Sequence, residues 1–465
     1  MNFMKKKLRN KKKVDLFVAL PYPYKVLHQG RIAGTFLPAD IFKRYLKTIK
    51  IDAKVISGVD SYGTAVWLQA RSLNLNPLDH VKNVRKGYLA TLKSLSITPQ
   101  IFVDTCDKNH RVYVRRHLKL KNNLTHKDSL CLYCENCNLE PSERLLWDNF
   151  WNESVEKVIE SSKKVSEDLV CAICKKPPVS KTQKHSWLLY DPKITSKVKS
   201  QFPLGNLEEE SKNITRYIPW GVSTGVPFQV YYVWVDALLT YAQKFRGERC
   251  YFFFGKDNLY YHALILRQLN LKNGPNCNKE NTFVRNYILK DKEKLSNSKN
   301  SGKIQGTPLQ VRGGLIISDP RTQDRSYGAE QRLLAKNLIK NKFENLYRRV
   351  LGFIKKRSLK PVVLGDLEVG ALEKEYQKCM WESKPSKALE VCIKYHHLIV
   401  SKLELELKSK ISKTSLFYYT MRLLRLLDPL FPKLKESFKS RFYKKRVSGH
   451  IWTRTINLFD ISEVL

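Results

Sequence analysis

Val14-Asp15-Leu16-Phe17-Val18-Ala19-Leu20 is a short, mostly apolar run that ends at Pro21. Such a run is typical of a strand buried in a parallel sheet. Apolar residues at helical spacing follow over 32–48, and Lys54-Val55-Ile56-Ser57-Gly58-Val59-Asp60 then predicts a second strand with polar residues at its end. Strand, helix and strand in this order predict a doubly wound, Rossmann-like α/β domain with a parallel sheet, whose ligands bind beyond the carboxyl ends of the strands.

The rest of the chain divides by pattern. Between about 102 and 217 the segments are short and strongly charged, which indicates an insertion into the sheet. Strand patterns return at Gln229-Val230-Tyr231-Tyr232-Val233-Trp234-Val235 and at Cys250-Tyr251-Phe252-Phe253-Phe254. After about residue 309 long Leu/Lys/Arg runs predict a bundle of helices.

The chain is strongly basic, with 84 Lys+Arg against 43 Asp+Glu and a net charge of +41 over 465 residues. A surface of this kind attracts polyanions, and nucleic acid is the usual one because each neutralised phosphate releases counterions. Drift toward lysine in an AT-rich genome is an alternative source of part of the excess. With 42% hydrophobic residues the chain is able to bury real cores.

Three features bear on the compartment. No run of ~18 consecutive apolar residues occurs, so no membrane span is predicted. The lysine-rich residues 1–13 lack the apolar core of a signal peptide and are predicted to be a flexible arm on RNA phosphates or a solvated tail. Ten cysteines, four of them in Cys-x-x-Cys pairs, indicate metal ligands in a reducing compartment. We therefore expect a cytoplasmic protein, with an organelle left open.

Two segments have the residue types that bind nucleotide phosphates. Pro21-Tyr22-Pro23-Tyr24-Lys25-Val26-Leu27-His28-Gln29-Gly30-Arg31 is a strand-to-helix turn, where free N–H groups, a histidine donor and a glycine suit a phosphate. Tyr287-Ile288-Leu289-Lys290-Asp291-Lys292-Glu293-Lys294-Leu295-Ser296-Asn297-Ser298-Lys299-Asn300 is a Lys/Ser loop that suits a triphosphate. Taken alone, each is more often plain structure, a turn in one case and a solvated basic loop in the other.

Together, in this order and separation, the two segments resemble the signature motifs of class I aminoacyl-tRNA synthetases. The blocks 55–64, 232–241 and 254–262 between them are similar to those of methionyl-tRNA synthetases. The resemblance runs from about Val14 to Phe353. It implies a methionine–tRNA ligase that uses ATP with Mg²⁺ to activate L-methionine as methionyl-adenylate and transfers it to the 3′ end of tRNA(Met). We expect a monomer without a membrane partner.

The resemblance also implies roles for single residues. Asp60 would hold the ammonium of methionine, and aromatic rings would contact its polarizable sulfur. The implied catalytic residues are His28 and Lys294, with Arg31 and Lys299 as substitutes for missing family residues. The implied ATP-binding residues are His28, Gly30, Gly255, Asp257, Lys294 and Ser296. The implied methionine pocket is Leu20, Tyr22, Asp60, Trp234, Ala237, Leu238, Tyr241 and His262, although Trp234 and Tyr241, seven residues apart, also fit ordinary core packing.

The match to the family is incomplete. Arg31 stands where the first motif has its second histidine, and Asn297 stands where the mobile loop has its second lysine. Arginine keeps a positive charge, and Lys299 follows two residues after Asn297. These departures predict slow activation and keep two alternatives open: a catalytically weakened, synthetase-derived tRNA-binding protein, or another class I synthetase. The insertion of about 115 residues is short for an editing domain, which disfavours the second alternative.

Two Cys-x-x-Cys pairs predict a metal site. Cys134, Cys137, Cys171 and Cys174 supply four thiolates, the set that closes a tetrahedral structural zinc. The 33 residues between the pairs are a wider gap than the family resemblance implies, and Cys131 is a spare thiol that competes for one position. The alternatives are four unrelated buried thiols or an open catalytic zinc. In the resembled family the zinc knuckle helps to aim the acceptor end of the tRNA.

The helical region resembles an anticodon-binding domain with its reading residues changed. Val350 stands where a base-reading asparagine is expected, and no tryptophan occurs between His396 and Phe417. We hypothesise that phosphate contacts by basic residues compensate, since they give affinity without sequence information. The predicted domains are a basic arm (1–13), two catalytic halves (14–101 and 221–308), an inserted connective subdomain (102–220), a linking, stem-contacting segment (309–341) and a helical anticodon-binding-like domain (342–465).

Overall fold

A computed structural model describes residues 13–140, 171–204, 210–290, 293–294 and 305–434, apart from 24, 172, 270, 272, 273, 363–365 and 433. At 293–294 only the backbone is described. The chain forms two compact units, one of Met1–Arg332 with Met380–Ser386 and one of Leu333–Cys379 with Lys387–Leu465.

The strands of the described residues are numbered in chain order. They are β1 (Val14–Val18), β2 (Ala53–Val59), β3 (Ile101–Asp104), β4 (Leu124–Tyr133), β5 (Val179–Leu189), β6 (Ser211–Asn213), β7 (Thr215–Tyr217), β8 (Gln229–Tyr231), β9 (Arg249–Gly255), β10 (Thr282–Arg285), β11 (Ile288–Lys290), β12 (Glu293–Lys294), β13 (Arg325–Ser326), β14 (Lys360–Pro361) and β15 (Lys413–Thr414).

The longer α-helices are numbered in the same way. They are α1 (Leu37–Thr48), α2 (Thr64–Ser72), α3 (Pro77–Ser94), α4 (Lys108–Lys119), α5 (Pro192–Lys199), α6 (Val233–Lys244), α7 (Pro308–Ile317), α8 (Ala329–Asn337), α9 (Asn345–Lys356), α10 (Leu367–Trp381), α11 (Pro385–Leu407) and α12 (Leu416–Leu427). Within the part of the chain that the structure describes, no helix combines the length and the apolar content needed to cross a membrane.

A five-stranded parallel sheet, in the order β10-β9-β1-β2-β3, forms the centre of the first unit. Every residue of β1 is buried, as a strand covered by helices on both faces requires. Strand β1 pairs with β2 on one side and with β9 on the other, so the direction of winding reverses at β1. The predicted doubly wound α/β fold is confirmed, and the segments that follow β1, β2 and β9 meet where such sheets bind ligands.

The helix predicted after the first strand is present but starts with irregular turns. Residues Gln29–Arg31 are α-helical, Ile32–Phe36 form a π-helical turn, and α1 follows. Buried Asp40 of α1 pairs with Arg312 of α7 at 2.8 Å, and Arg312 is also buried. Because the two buried charges pair with each other, neither is left unpaired in a region of low dielectric. The pair therefore holds α7 against α1.

The strand prediction for 229–235 is wrong in its second half. Strand β8 ends at Tyr231, and α6 begins at Val233. Aromatic and β-branched residues favoured a strand there. In the structure Val235, Leu238 and Leu239 lie on the buried face of α6, so tertiary packing at helical spacing overrides the local propensity.

The described residues of the insertion form antiparallel strands, and the described residues after about 309 are mostly helical, as predicted for that region. Strands β4, β5 and β6 pair in that order, and β7 pairs with β8. In the second unit α9 packs against α12, and the Tyr376 hydroxyl donates to the Leu426 carbonyl at 2.6 Å. The charged stretch 153–167 and most of the basic arm lie outside the described residues.

Candidate active site

Asp60 lies at the carboxyl end of β2, directly beside the end of β1. Its backbone N–H donates to the Pro21 carbonyl at 3.0 Å, which joins the two strand ends. The side chain is buried, and Oδ1 has no hydrogen-bond partner among the described residues. Burial raises the pKa of Asp60 well above its usual value, the charge of Asp236 raises it further, and the charge of Arg31 opposes both. A cation at Oδ1 would relieve this cost, because buried carboxylates are stabilised by opposite charge.

Asp236 and His110 form a buried pair behind Asp60 that the sequence interpretation did not identify. His110 Nε2 lies 2.5 Å from Asp236 Oδ1, and Nδ1 lies 3.1 Å from Gln243 Oε1. Burial lowers the pKa of His110, but the hydrogen bond to Asp236, the charge of Asp236 and the hydrogen bond to Gln243 together outweigh burial, and the pKa is raised. Asp236 among apolar residues was a signal that this carboxylate needs a buried partner, but the sequence does not indicate which residue that partner is.

Aromatic rings from three segments form one wall, which includes Tyr22, the residue after the Pro21 that accepts from Asp60. The Trp234 ring stacks on Tyr261, with centroids 4.3 Å apart and planes 5° apart, and meets Tyr22 edge-on at 6.1 Å. The predicted pocket residues Leu20, Ala237 and Leu238 are buried, and Leu20 and Leu238 belong to the same apolar core as Tyr241. Tyr261 was not predicted. An apolar, aromatic surface of this kind favours a thioether over a charged side chain.

His262 is held in one orientation at the base of this wall. Its Nδ1 donates to the Asn258 carbonyl at 2.9 Å, so Nε2 accepts the hydrogen bond of the Tyr241 hydroxyl at 3.0 Å. The Phe254 ring stacks on the imidazole at 4.3 Å. Burial lowers the pKa of His262 to about 4, so the ring is neutral near pH 7.

The two phosphate-binding segments lie against each other. His28 is the N-terminal cap residue of the Gln29–Arg31 turn, which also contains Gly30, and this turn packs against β11. Strand β11 pairs with β12, with Leu289 opposite Lys294. The backbone of Lys294 is therefore placed next to the first motif, whereas its side chain, Ser296 and Lys299 lie outside the described residues.

A third segment joins the same region after β9. A Cβ at Gly255 would lie 2.6 Å from Asp257 Oδ1, so only glycine lets this carboxylate fold back over the backbone. Lys256 pairs with Asp324 at 3.0 Å and lies over the Tyr287 ring at 4.2 Å. Asp324 in turn accepts from the Tyr287 N–H at 2.8 Å. These contacts tie the Gly255 turn to the start of β11.

The comparisons with known proteins agree with this geometry. The family described as tRNA synthetases class I (M) matches residues 16–350, most of the chain. The chain belongs to this family, the methionyl-type class I tRNA synthetases. Methionine–tRNA ligases of Caldivirga maquilingensis and Pyrobaculum islandicum are 25% and 27% identical, over 80% and 73% of this chain and 76% and 69% of their own lengths.

The fold is shared with a solved structure. Methionyl-tRNA synthetase of Mycobacterium tuberculosis, in complex with methionyl-adenylate, matches with a TM-score of 0.68 at 18% identity, over 92% of this chain and 93% of that one. The predicted family, fold and enzyme class are thereby confirmed. In this methionyl-type synthetase the individual roles assigned to site residues remain predictions.

The four cysteines of the inserted subdomain come together, despite the wide gap between the pairs. The sulfur atoms of Cys134, Cys137, Cys171 and Cys174 lie within 4.8 Å of one another. In both pairs the residue after the second cysteine, Asn138 or Lys175, has a positive φ, of 52° and 59°. Each turn therefore has a left-handed residue directly after its second cysteine, and Cys131 is not part of this cluster.

Proposed function

We propose that this methionyl-type synthetase is an active methionine–tRNA ligase. The single observation that supports it best is the buried Asp60 carboxylate, whose Oδ1 has no partner among the described residues. Its backbone is hydrogen-bonded to Pro21, the residue before Tyr22 of the aromatic wall, and the charge of Arg31 from the first phosphate-binding segment acts on it. An amino acid whose ammonium binds Asp60 and whose side chain contacts Trp234 would present its carboxylate toward those segments. This is the arrangement that attack on a nucleotide α-phosphorus needs.

The pocket suits methionine for physical reasons. Leu20, Tyr22, Trp234, Ala237, Leu238, Tyr241 and His262 would enclose the thioether, and Asp60 would pair with the ammonium. The neutral ring of His262, fixed by its bonds to Asn258 and Tyr241, adds no charge to the apolar wall. A rigid pocket discriminates similar apolar side chains by shape.

The reaction would proceed in two steps. The methionine carboxylate attacks the α-phosphorus of Mg²⁺-bound ATP, the bond to pyrophosphate breaks, and methionyl-adenylate forms. The terminal ribose hydroxyl of tRNA(Met) then attacks the acyl carbon, and AMP leaves. His28, Gly30, Gly255, Asp257, Lys294 and Ser296 would hold ATP, with Arg31 and Lys299 adding charge. Catalysis would come from positioning and from cationic stabilisation of phosphate charge.

The four-cysteine cluster would hold a structural zinc. Four sulfurs within 4.8 Å, on two turns that each have a left-handed residue after the second cysteine, fit the closed tetrahedral site that zinc prefers. Cys134 and Cys171 are buried, which suits a site without an open position. Zinc bound here would stabilise the inserted subdomain, whose own apolar cluster is small.

We further propose a monomeric, cytoplasmic enzyme, with tRNA(Met), ATP and L-methionine as its partners.

Methionine-dependent exchange of pyrophosphate into ATP tests this function. We expect the wild type to catalyse exchange with methionine. Asp60→Asn should lower kcat/KM by about 100-fold, because removing one partner of a buried charge pair costs about 3 kcal/mol. Lys294→Ala should lower kcat, whereas Lys378→Ala, an exposed lysine of α10, should leave exchange unchanged. Exchange with another amino acid alone would indicate a different class I synthetase. No exchange with any amino acid would favour a tRNA-binding protein.

A further inference from the structure

A second group of metal-ligating side chains lies in the inserted subdomain, separate from the four-cysteine cluster. Cys131 on β4, Glu140 after the Cys134–Leu139 turn and His185 on β5 each offer one ligand atom, and these atoms lie within 4.8 Å of one another. The three residues come from three chain segments, brought together by the sheet. The active-site arrangement described above uses none of them.

The hydrogen bonds of His185 leave its Nε2 with a lone pair. Nδ1 lies 3.2 Å from Thr215 Oγ1, and this hydroxyl is 3.4 Å from Asn213 Oδ1, to which it donates. The hydroxyl oxygen therefore accepts from Nδ1–H, and Nε2 carries no proton in the neutral ring. Nε2 is fully buried and has no hydrogen-bond partner among the described residues.

Glu140 presents a second acceptor to this nitrogen. Its Oε2 lies 3.8 Å from His185 Nε2 and accepts from the Tyr217 N–H at 3.2 Å, while the Glu140 N–H donates to the Tyr217 carbonyl at 2.7 Å. Two atoms that both carry lone pairs face each other in a largely buried space. Such an arrangement is unfavourable unless a cation lies between them.

The arginine that pairs with Glu140 contacts its other carboxylate oxygen. Arg216 Nε lies 4.0 Å from Glu140 Oε1, the other carboxylate oxygen. Its guanidinium lies over the Tyr232 ring at 4.8 Å and donates to the Thr215 carbonyl at 2.7 Å, so these contacts engage Arg216 outside the gap between Glu140 Oε2 and His185 Nε2. Cys131 Sγ, which donates to the Lys181 carbonyl at 3.4 Å, completes the third side of the space.

We propose that Cys131 Sγ, Glu140 and His185 Nε2 bind a second zinc ion, distinct from the one held by the four cysteines. One thiolate, one imidazole and one carboxylate form a ligand set that zinc accepts, and water would complete the tetrahedron. On binding, the Cys131 thiol releases its proton to water. The ion would join β4, β5 and the segment before β7, and so would stabilise the sheet of the inserted subdomain.

Metal content of the reduced, full-length protein tests the proposal. After loading with Zn²⁺ and gel filtration over a weak chelator, we expect two zinc ions per chain in the wild type and one in Cys131→Ser, Glu140→Gln and His185→Gln. Cys379→Ser removes a thiol far from both clusters in sequence and should keep two. Zinc content equal to that of the wild type in all three site variants would overturn the proposal, whether the wild type holds one ion or two. One ion in the wild type that is lost in these variants would instead mean that the four cysteines hold none.

Cobalt substitution provides a readout that does not depend on the variants alone. The first Co²⁺ should show the charge-transfer absorption of four thiolates, and the second should add only about a quarter as much, because it has one thiolate ligand. The difference between wild type and Cys131→Ser should show this second increment alone. A second cobalt with no thiolate absorption, or an identical increment in Cys131→Ser, would contradict the assigned ligands.

Discussion

Asp60 and Arg31 show how one substituted residue changes the charge balance of a site. The family has a histidine, which can be neutral, at the position where this chain has Arg31, a permanent cation. Arg31 lies near enough to Asp60 to lower the pKa of that carboxyl, and one of its terminal nitrogens is buried without a partner in the described part of the chain. In the proposed function this arginine would compete with the substrate ammonium for Asp60 and would also offer charge to phosphate.

Arg31→His separates these two effects. We expect the KM for methionine to fall by about fivefold, since a competing charge worth about 1 kcal/mol is removed from the ammonium site. The kcat should fall as well, because a cation near the phosphates is lost. Pyrophosphate exchange at varied methionine checks both, with Arg71→His on the exposed face of α2 as control. An unchanged KM would mean that Arg31 does not influence ammonium binding.

His262 makes stability depend on pH in a defined window. Its pKa is lowered from 6.5 to about 4 by burial, so the folded state binds a proton less readily than the unfolded chain. The resulting stability is fully present above about pH 6.5 and is lost as pH falls toward 4, by up to about 3 kcal/mol. In urea unfolding, the free energy of unfolding of His262→Gln should decline less steeply between these pH values than that of the wild type. The exposed His126→Gln should decline as the wild type does, and equal slopes in all three proteins would refute this.

At the scale of elements, the approach of β2 to β3 sets the position of Asp60. A Cβ at Gly58 would lie 2.3 Å from Val103 Cγ2 and 2.4 Å from the Val103 carbonyl oxygen. The second distance involves backbone, which has no rotamer with which to move away. A side chain at Gly58 would therefore push the strands apart, two residues before the carboxylate that the site depends on.

Gly58→Ala should lower the free energy of unfolding by roughly 3 kcal/mol and reduce methionine activation together with it. Gly87→Ala provides the matched control. Gly87 lies on the exposed side of α3 with nothing near its would-be Cβ, so alanine should stabilise the helix by about 0.5 kcal/mol. Denaturant unfolding and exchange kinetics check both. Equal stability of the two variants would show that the sheet accommodates the extra methyl group.

Some elements were predictable from sequence because one pattern determined them. Apolar β1 and β2, and the helical spacing of 32–48, left a single interpretation, and the structure agrees. Residues 229–235 were misassigned because aromatic residues favour strands locally, whereas packing of α6 decides the outcome. The pairing of His110 with Asp236, 126 residues apart, has no local signature, since only tertiary structure brings such residues together. The wide gap between the cysteine pairs likewise says nothing about their distance in space.

For the whole molecule, the excess of positive charge bears on how tRNA is bound. Val350, where the family has a base-reading asparagine, is completely buried in the second unit. A buried apolar side chain cannot donate or accept a hydrogen bond with a base edge. We therefore expect phosphate contacts by basic residues to be the main source of affinity for tRNA, and such contacts do not distinguish anticodons.

Replacing the CAU anticodon of a methionine tRNA transcript should therefore reduce charging by less than several-hundred-fold. Binding through phosphate contacts should also make the KM for tRNA depend steeply on salt, because each phosphate contact releases counterions. Charging kinetics for the two transcripts, each at low and at moderate salt, measure both quantities. The swapped transcript keeps its acceptor stem intact. The salt dependence of its own KM therefore shows whether the transcript is misfolded. A larger loss that is insensitive to salt would show that the helical unit still reads the anticodon through direct contacts, with residues other than Val350.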